Sequence, residues 1–180
     1  LLARRWISPQ TFEIVLTRPA GLSFQAGQHL RLRIGPDERD YSMVSAPGDP
    51  ELVLCVRRVA GPGLSDQLAR CPIGTHLTFT GPHGHFTYRR SDRKAVFVAT
   101  GTGIAPFVAM ARAGARAFTL LHGVRRSDEL LYAGELAASA GRYVGCLTEP
   151  GNPGGSPDGG IFRGRVTAFL EGVLEPDLYD

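Results

Sequence analysis

The sequence predicts a two-domain chain, an antiparallel β-barrel followed by an α/β domain built on a parallel sheet. Three observations carry that reading. Residues 6–88 contain short stretches that alternate apolar and polar residues, TFEIVLTRP, HLRLRIGP and ELVLCVRRV, punctuated by glycine and proline at PAG, APGDP, GPG and GPHG. That is the pattern of a small antiparallel barrel. After Ser91 the pattern changes to apolar runs alternating with helical segments, which implies parallel strands and right-handed crossovers. Between the halves lies the charged stretch Arg89–Lys94, so the boundary is set there, giving domains 1–90 and 91–180.

In the first half, GLSDQLAR (Gly63–Arg70) alone breaks the alternation and predicts a short helix, with Ser65 or Asp66 near its start. In the second half, Ala95–Thr100 reads as a strand buried on both faces, followed by a helix from about Ala105 to Ala113. RAFTLLHG is a second strand. SDELLYAGELAASA is a helix that Ser127 or Asp128 can cap, with Leu130, Leu131, Leu136 and Ala137 as its apolar face. RYVGCLTE is a third strand, and GRVTAFLEG a last helix beyond the Gly/Pro/Ser-rich loop Gly151–Gly160, expected to be mobile.

The 180 residues are 43% hydrophobic and 21% charged, with a net charge of +3. This is the make-up of a globular protein, and the positive excess is too small to imply nucleic acid. The arginine pairs 57–58, 89–90 and 125–126 are scattered as on solvated faces. Cys55, Cys71 and Cys146 form no Cys-x-x-Cys pair, so neither an iron–sulfur cluster nor a zinc site is expected, and reduced thiols in a cytoplasmic protein are the simpler reading. No run approaches the length of a membrane span and nothing resembles a signal peptide. The first residue is Leu1, not Met, so an upstream piece is expected.

The most informative stretch is AVFVATGTGIAPF, Ala95–Phe107. A strand ends at Thr100, Gly101 and Gly103 leave bare backbone around Thr102, and Pro106 suits a helix start, where its missing N–H is no loss. Free amides and the helix dipole at such a turn make a phosphate site. Proline stands where the dinucleotide fingerprint has its third glycine, so a purely structural turn is the competing reading. In the barrel half, Arg39-Asp40-Tyr41-Ser42 offers an arginine for phosphate, a ring for stacking and a hydroxyl for a ring nitrogen. Its alternative is a surface Arg–Asp pair beside a half-buried core tyrosine.

Taken in order, Arg39–Ser42, GPGLS and GTGIAPF resemble the ferredoxin–NADP reductase family. FQAGQ (Phe24–Gln28), GPHGHF (Gly81–Phe86), HGVRRSDELLYAGEL (His122–Leu136) and GRVTAFL (Gly164–Leu170) add to the likeness, which covers nearly the whole chain. The resemblance implies a flavin-binding barrel and a nucleotide domain. In it, Arg39 contacts the FAD phosphates, Tyr41 stacks on the isoalloxazine, and Ser42 approaches its N5. Val56 and Arg57 would lie along the same cofactor, and Gly63, Leu64 and Ser65 would bind its pyrophosphate. Gly101, Thr102 and Gly103, flanked by Thr100 and Pro106, would hold the pyrophosphate of NAD(P)H.

The implied activity is hydride transfer from NAD(P)H to FAD, then electron transfer to an iron–sulfur protein, a haem domain or an oxygenase component. Tyr41 and Ser42, nearest the reacting ring, are the catalytic candidates. His83 and His85 read as loop residues shaping the cleft rather than as catalysts. NADP-dependent relatives carry a Ser-Arg pair where this chain has Thr148 and Glu149, so NADH is the expected donor, with Arg125, Arg126 and Arg163 still within reach of a 2′-phosphate. The alternative is an exposed Glu149 that merely opens the glycine-rich loop. The family continues with a strand carrying a Cys-Gly pair, whereas this sequence stops at EPDLYD. That stop reads as truncation, or as a protein lacking the part that positions the nicotinamide. The alternatives are a flavin-bearing electron-transfer subunit of a larger complex and a non-redox barrel joined to a nucleotide-binding domain.

Overall fold

The computed structural model describes residues 1–149 and 160–173. Most of the loop expected to be mobile, and the EPDLYD end, lie outside these residues. The chain divides into two units. One comprises Leu1–Tyr88 with Ala105–Ala113, and the other Arg89–Ile104 with the described residues from Gly114 on.

The first unit is built from two three-stranded antiparallel sheets. Its strands are β1 (Ala3–Ser8), β2 (Thr11–Thr17), β3 (His29–Ile34), β4 (Asp37–Ser42), β5 (Glu51–Arg57) and β6 (Thr78–His83). They pair in the orders β1-β2-β5 and β4-β3-β6, and a bridge between Met43 and Leu54 joins the sheets. The central strand β2 is buried at every residue but its last. Phe12, Ile14, Leu30, Leu32, Met43, Leu52, Leu54 and Val56 are fully buried or nearly so and form the core with Leu68 of helix α1 (Leu64–Arg70). β1 and β6 escape the sequence pattern because neither has a clean buried face. β1 also supplies Arg4, whose guanidinium donates to the carbonyls of Leu68, Ala69 and Cys71 at the end of α1. Those carbonyls have no partner within the helix, so the arginine acts as its C-terminal cap.

Helix α2 (Ala105–Arg112) groups with this first unit, whereas the sequence boundary assigned it to the second half. It is buried from Ala105 through Ala111, as an all-round apolar helix must be. Phe107 meets Phe86 edge-on at 5.6 Å, and Arg112 donates to the Val44 carbonyl at 3.1 Å. Gly27 explains the close fit. Its φ is +103°, and a Cβ there would collide with the Phe86 carbonyl and the Met110 side chain.

The second unit carries a four-stranded parallel sheet in the order β10-β9-β8-β7. Its strands are β7 (Val96–Thr100), β8 (Thr119–Val124), β9 (Arg142–Leu147) and the short β10 (Ile161–Arg163), which the sequence pattern did not reveal. The helix expected over SDELLYAGELAASA is split into a 3₁₀ turn at Ser127–Glu129 and helix α3 (Ala133–Ser139), so neither Ser127 nor Asp128 caps α3. Two local features break it. The Glu129 carboxylate folds back to accept the amides of Arg125 and Arg126, and Tyr132 sits at φ 57°, outside helical geometry. Leu131, Leu136 and Ala137 are buried as expected. Helix α4 (Val166–Val173) packs Val166 and Phe169 onto Leu121, Val144 and Cys146.

Candidate functional site

In the first unit the candidate residues lie on β4, β5 and the start of α1. The register pairs Leu30 with Tyr41, Arg31 with Asp40, and Leu32 with Arg39. Directly paired residues share a face, so Tyr41 and Arg39 lie on the side of the core leucines and Asp40 on the other. Tyr41 is half-buried against the core, and burial pushes its hydroxyl up to about 12. It is therefore a neutral phenol at any ordinary pH. Asp40 is held by a two-pronged bond from Arg31, at 2.7 and 2.9 Å, which keeps its carboxyl below the usual range. Arg39 is exposed and donates to its neighbour's carbonyl, Glu38, at 2.6 Å.

Along β5, Val56 is fully buried opposite Phe12, so only its backbone is available to a ligand, while Arg57 is exposed. Gly63 caps α1 in extended geometry, and Leu64 is buried. The Ser65 hydroxyl accepts the Val59 amide at 3.1 Å and keeps its own proton to donate. Asp66, buried in the same turn, is bridged by Arg58 at 2.8 Å and Arg70 at 2.9 Å, which hold its carboxyl low. The first amides of α1 thus face no uncompensated carboxylate.

In the second unit the candidates gather at the carboxyl ends of β7, β8 and β9. In parallel sheets this is the edge at which ligands are taken up. Thr100 is exposed, and the chain then enters a 3₁₀ turn, Gly101–Ile104, that runs directly into α2. Gly101 has φ +49°, whereas Gly103 has no such requirement, and a Cβ at either would meet no atom within 4 Å. Pro106, the second residue of α2, is buried and shapes the turn without offering a surface. Beyond the strands, the amides of Thr148 and Glu149 bond to the carbonyls of Val124 and Arg125, at 3.2 and 2.9 Å. Arg125, Thr148 and Glu149 are all exposed there. Arg126 is tied to Asp128 at 3.1 and 3.2 Å and also feels the charge of Glu149. This corner sets the carboxylates of Asp128, Glu129 and Glu149 around the Arg126 guanidinium.

One residue of this site was missed. His122 of β8 is fully buried, with its Nε2 3.0 Å from the Gly101 carbonyl and its Nδ1 3.1 Å from the Tyr143 hydroxyl. The signal was a lone imidazole inside the apolar run TLLHGV. Burial pulls its pKa down to about 4, partly offset by the bond to Gly101. The unfolded chain, titrating near 6.5, therefore binds this proton more readily than the fold does. His122's contribution to stability is complete above about pH 6.5 and falls by roughly 3 kcal/mol as the pH drops toward 4. Urea unfolding at pH 7, 5.5 and 4.5 should show a steeper loss for the parent protein than for His122→Gln. Parallel slopes would rule this out.

Among the described residues there is no cluster of histidine, cysteine and carboxylate groups fit to hold a metal ion. Nor is any helix there long and apolar enough to cross a membrane.

The class is that of paired FAD-binding and NAD-binding oxidoreductase domains, as two family matches show. Residues 3–88 match the oxidoreductase FAD-binding domain and residues 97–156 the oxidoreductase NAD-binding domain. The chain is 36% identical to ferredoxin–NADP reductase B of Sorangium cellulosum (strain So ce56), over 99% of this chain and 77% of that protein. It is 34% identical to the ferredoxin–NAD(+) reductase component of the alkene monooxygenase system of Xanthobacter autotrophicus, over 92% of this chain and 55% of that one. Among solved structures, the Amycolatopsis cytochrome P450 reductase GcoB superposes with a TM-score of 0.81 at 28% identity, covering 99% of this chain and 58% of GcoB. The chain belongs to the ferredoxin–NADP reductase family, and it spans about half the length of several of its curated relatives.

Proposed function

We propose that the protein is a flavin-dependent reductase that takes hydride from NAD(P)H and delivers electrons to a partner protein. The observation that carries this reading is the pair of bare backbone turns. Glycine at 63 and 103 is required neither by a positive φ nor by packing, since a Cβ at each would meet nothing within 4 Å. Both sit where a helix begins, one in each unit. Bare backbone with free amides is what close approach of a pyrophosphate needs.

Arg39 would grip the FAD phosphates, with Gly63, Leu64 and Ser65 supplying amides and a hydroxyl and the Val56–Arg57 backbone running alongside. Tyr41, anchored against the core, would present its ring to the isoalloxazine, and Ser42 would sit beside N5. Gly101, Thr102 and Gly103 would receive the second dinucleotide, with Thr100 at its edge and Pro106 fixing the turn. Bound FAD supplies the chemistry of the class, accepting a hydride and releasing electrons one at a time. The protein's part is alignment and exclusion of water, and no side-chain acid or base is needed. The partner is read as an iron–sulfur protein, a haem domain or an oxygenase component. Relatives with such names include the toluate 1,2-dioxygenase electron transfer component and methane monooxygenase component C. The three cysteines, none of them in a disulfide, fit a reducing compartment, the cytoplasm.

Those component names also favour a second reading, a flavin-bearing module that works only within a larger complex. Reduction of ferricyanide by NADH with the isolated protein supports the first reading, and FAD binding without turnover supports the second.

NADH is the proposed donor. A ribose 2′-phosphate would approach the Asp128, Glu129 and Glu149 carboxylates, and the Arg126 guanidinium is already engaged by Asp128. Glu149 is better suited to a ribose hydroxyl, whereas an arginine there would offer a fork to phosphate. Glu149→Arg should narrow or reverse the preference through the KM for NADPH, read by ferricyanide reduction with each donor. A tenfold or greater preference of the unmodified protein for NADPH would refute the charge argument.

A further inference from the structure

We infer that His122 and Tyr143 are positioning residues for the nicotinamide dinucleotide, acting through the Gly101–Thr102 peptide; this rests on the reading of the glycine turn as the dinucleotide site. The Gly101 carbonyl can only accept, so His122 must donate to it from Nε2–H. Its neutral ring then has a lone pair at Nδ1, which accepts the Tyr143 hydroxyl proton. Proton positions are thus fixed along one chain, Tyr143 to His122 to Gly101. Burial keeps both side chains uncharged, pulling the imidazole pKa down and pushing the phenol up.

His122 is flanked by the small residues Ala99 on β7 and Gly145 on β9, and the space over Gly145 is taken by Leu130 and Ile161. Tyr143 lies two residues before Gly145 on the same face and reaches up to Nδ1.

The consequence falls on the ligand side of the same peptide. Gly101 leaves the strand at φ +49°, a conformation that orders poorly by itself. A donor on its carbonyl holds that peptide plane. Hydrogen bonds in series also polarise one another, so the Thr102 N–H at the other end becomes a stronger donor. Thr102 N–H is one of the first amides of the turn, without a partner inside the helix that follows. It is the group a pyrophosphate would meet.

The test is NADH affinity, by titration and by the KM for ferricyanide reduction, set against FAD affinity and the reduction rate at saturating NADH. His122→Phe keeps a flat ring in the buried position but cannot donate. It should weaken NADH about five- to tenfold, the value of one buried hydrogen bond, with FAD affinity and saturated rate within twofold of the parent. His122→Gln restores a donor at the Nε2 position and should recover most of the loss. NADH affinity unchanged in His122→Phe, or no recovery in His122→Gln, would overturn the role. If His122→Phe fails to fold, Tyr143→Phe carries the test. About threefold weaker NADH with intact FAD binding supports the role, and unchanged NADH overturns it. Failure of the parent protein itself to bind NADH would instead sink the dinucleotide reading on which the role rests.

Discussion

Alanine at Arg39 is expected to weaken FAD binding about tenfold to a hundredfold. Arg39 lies on the core-facing side of β4 within its exposed stretch, two residues before Tyr41, and among the described residues its guanidinium bonds to the adjacent Glu38 carbonyl. A bond to the neighbouring residue orients the guanidinium without neutralising it, so the charge is available to a phosphate. Arginine–phosphate contacts are charge-assisted, and losing one costs roughly 1.5–3 kcal/mol, which is about tenfold to a hundredfold in affinity. The barrel should survive the change, because the core beneath β4 rests on Leu30, Leu32 and Met43 and not on this side chain. Titration of the flavin-free protein with FAD is the measurement, with Arg39→Lys as control for charge without the fork. Equal FAD affinity of Arg39→Ala and parent would remove Arg39 from the site.

Valine at Gly103 should strike the other cofactor. Its backbone has no left-handed φ and a Cβ would meet nothing, so the fold tolerates the side chain. What valine obstructs is the space outside, where the dinucleotide would lie against bare backbone. Displacement of a reactant by about an ångström costs up to roughly a hundredfold, and reduction by NADH should slow by about tenfold to a hundredfold. The flavin should stay bound, since Gly103 lies in the second unit and the FAD candidates in the first. Gly101 would give a less clean test, because any side chain there is strained by the φ of +49°. Rapid reduction in Gly103→Val would place the nicotinamide dinucleotide elsewhere, and loss of flavin along with activity would place the flavin there instead.

How far the sequence could be read follows from which interactions are local. Alternation exposed β2, β3 and β5 because their core faces are strictly apolar, and the glycine turn announced itself because conformation and bareness are written into Gly-Thr-Gly. β1, β6 and β10 were not visible, since each is held by pairing to a neighbour more than by a buried face of its own. The break before α3 depends on a Glu129 carboxylate turning back to amides three and four residues earlier, where periodicity saw only a capped helix. α2 joins the parallel neighbours β7 and β8 as the βα reading expected, but its fit to the first unit, Met110 at Gly27, Phe107 at Phe86 and Arg112 at Val44, is written in no local pattern. His122 matters through Gly101, 21 residues earlier, and Tyr143, 21 later. No local pattern contains a contact of that kind.

The first unit is an FAD-binding domain, and Tyr41 is expected to lie against the flavin ring. Titration of the purified protein with FAD, followed by visible absorbance and flavin fluorescence, tests it most directly. Saturation at one FAD per chain is expected, with a resolved flavin band and fluorescence quenched by the stacked tyrosine. Tyr41→Ala should bind more weakly and be less quenched. A chain that leaves the FAD spectrum and fluorescence unchanged at every ratio would contradict it.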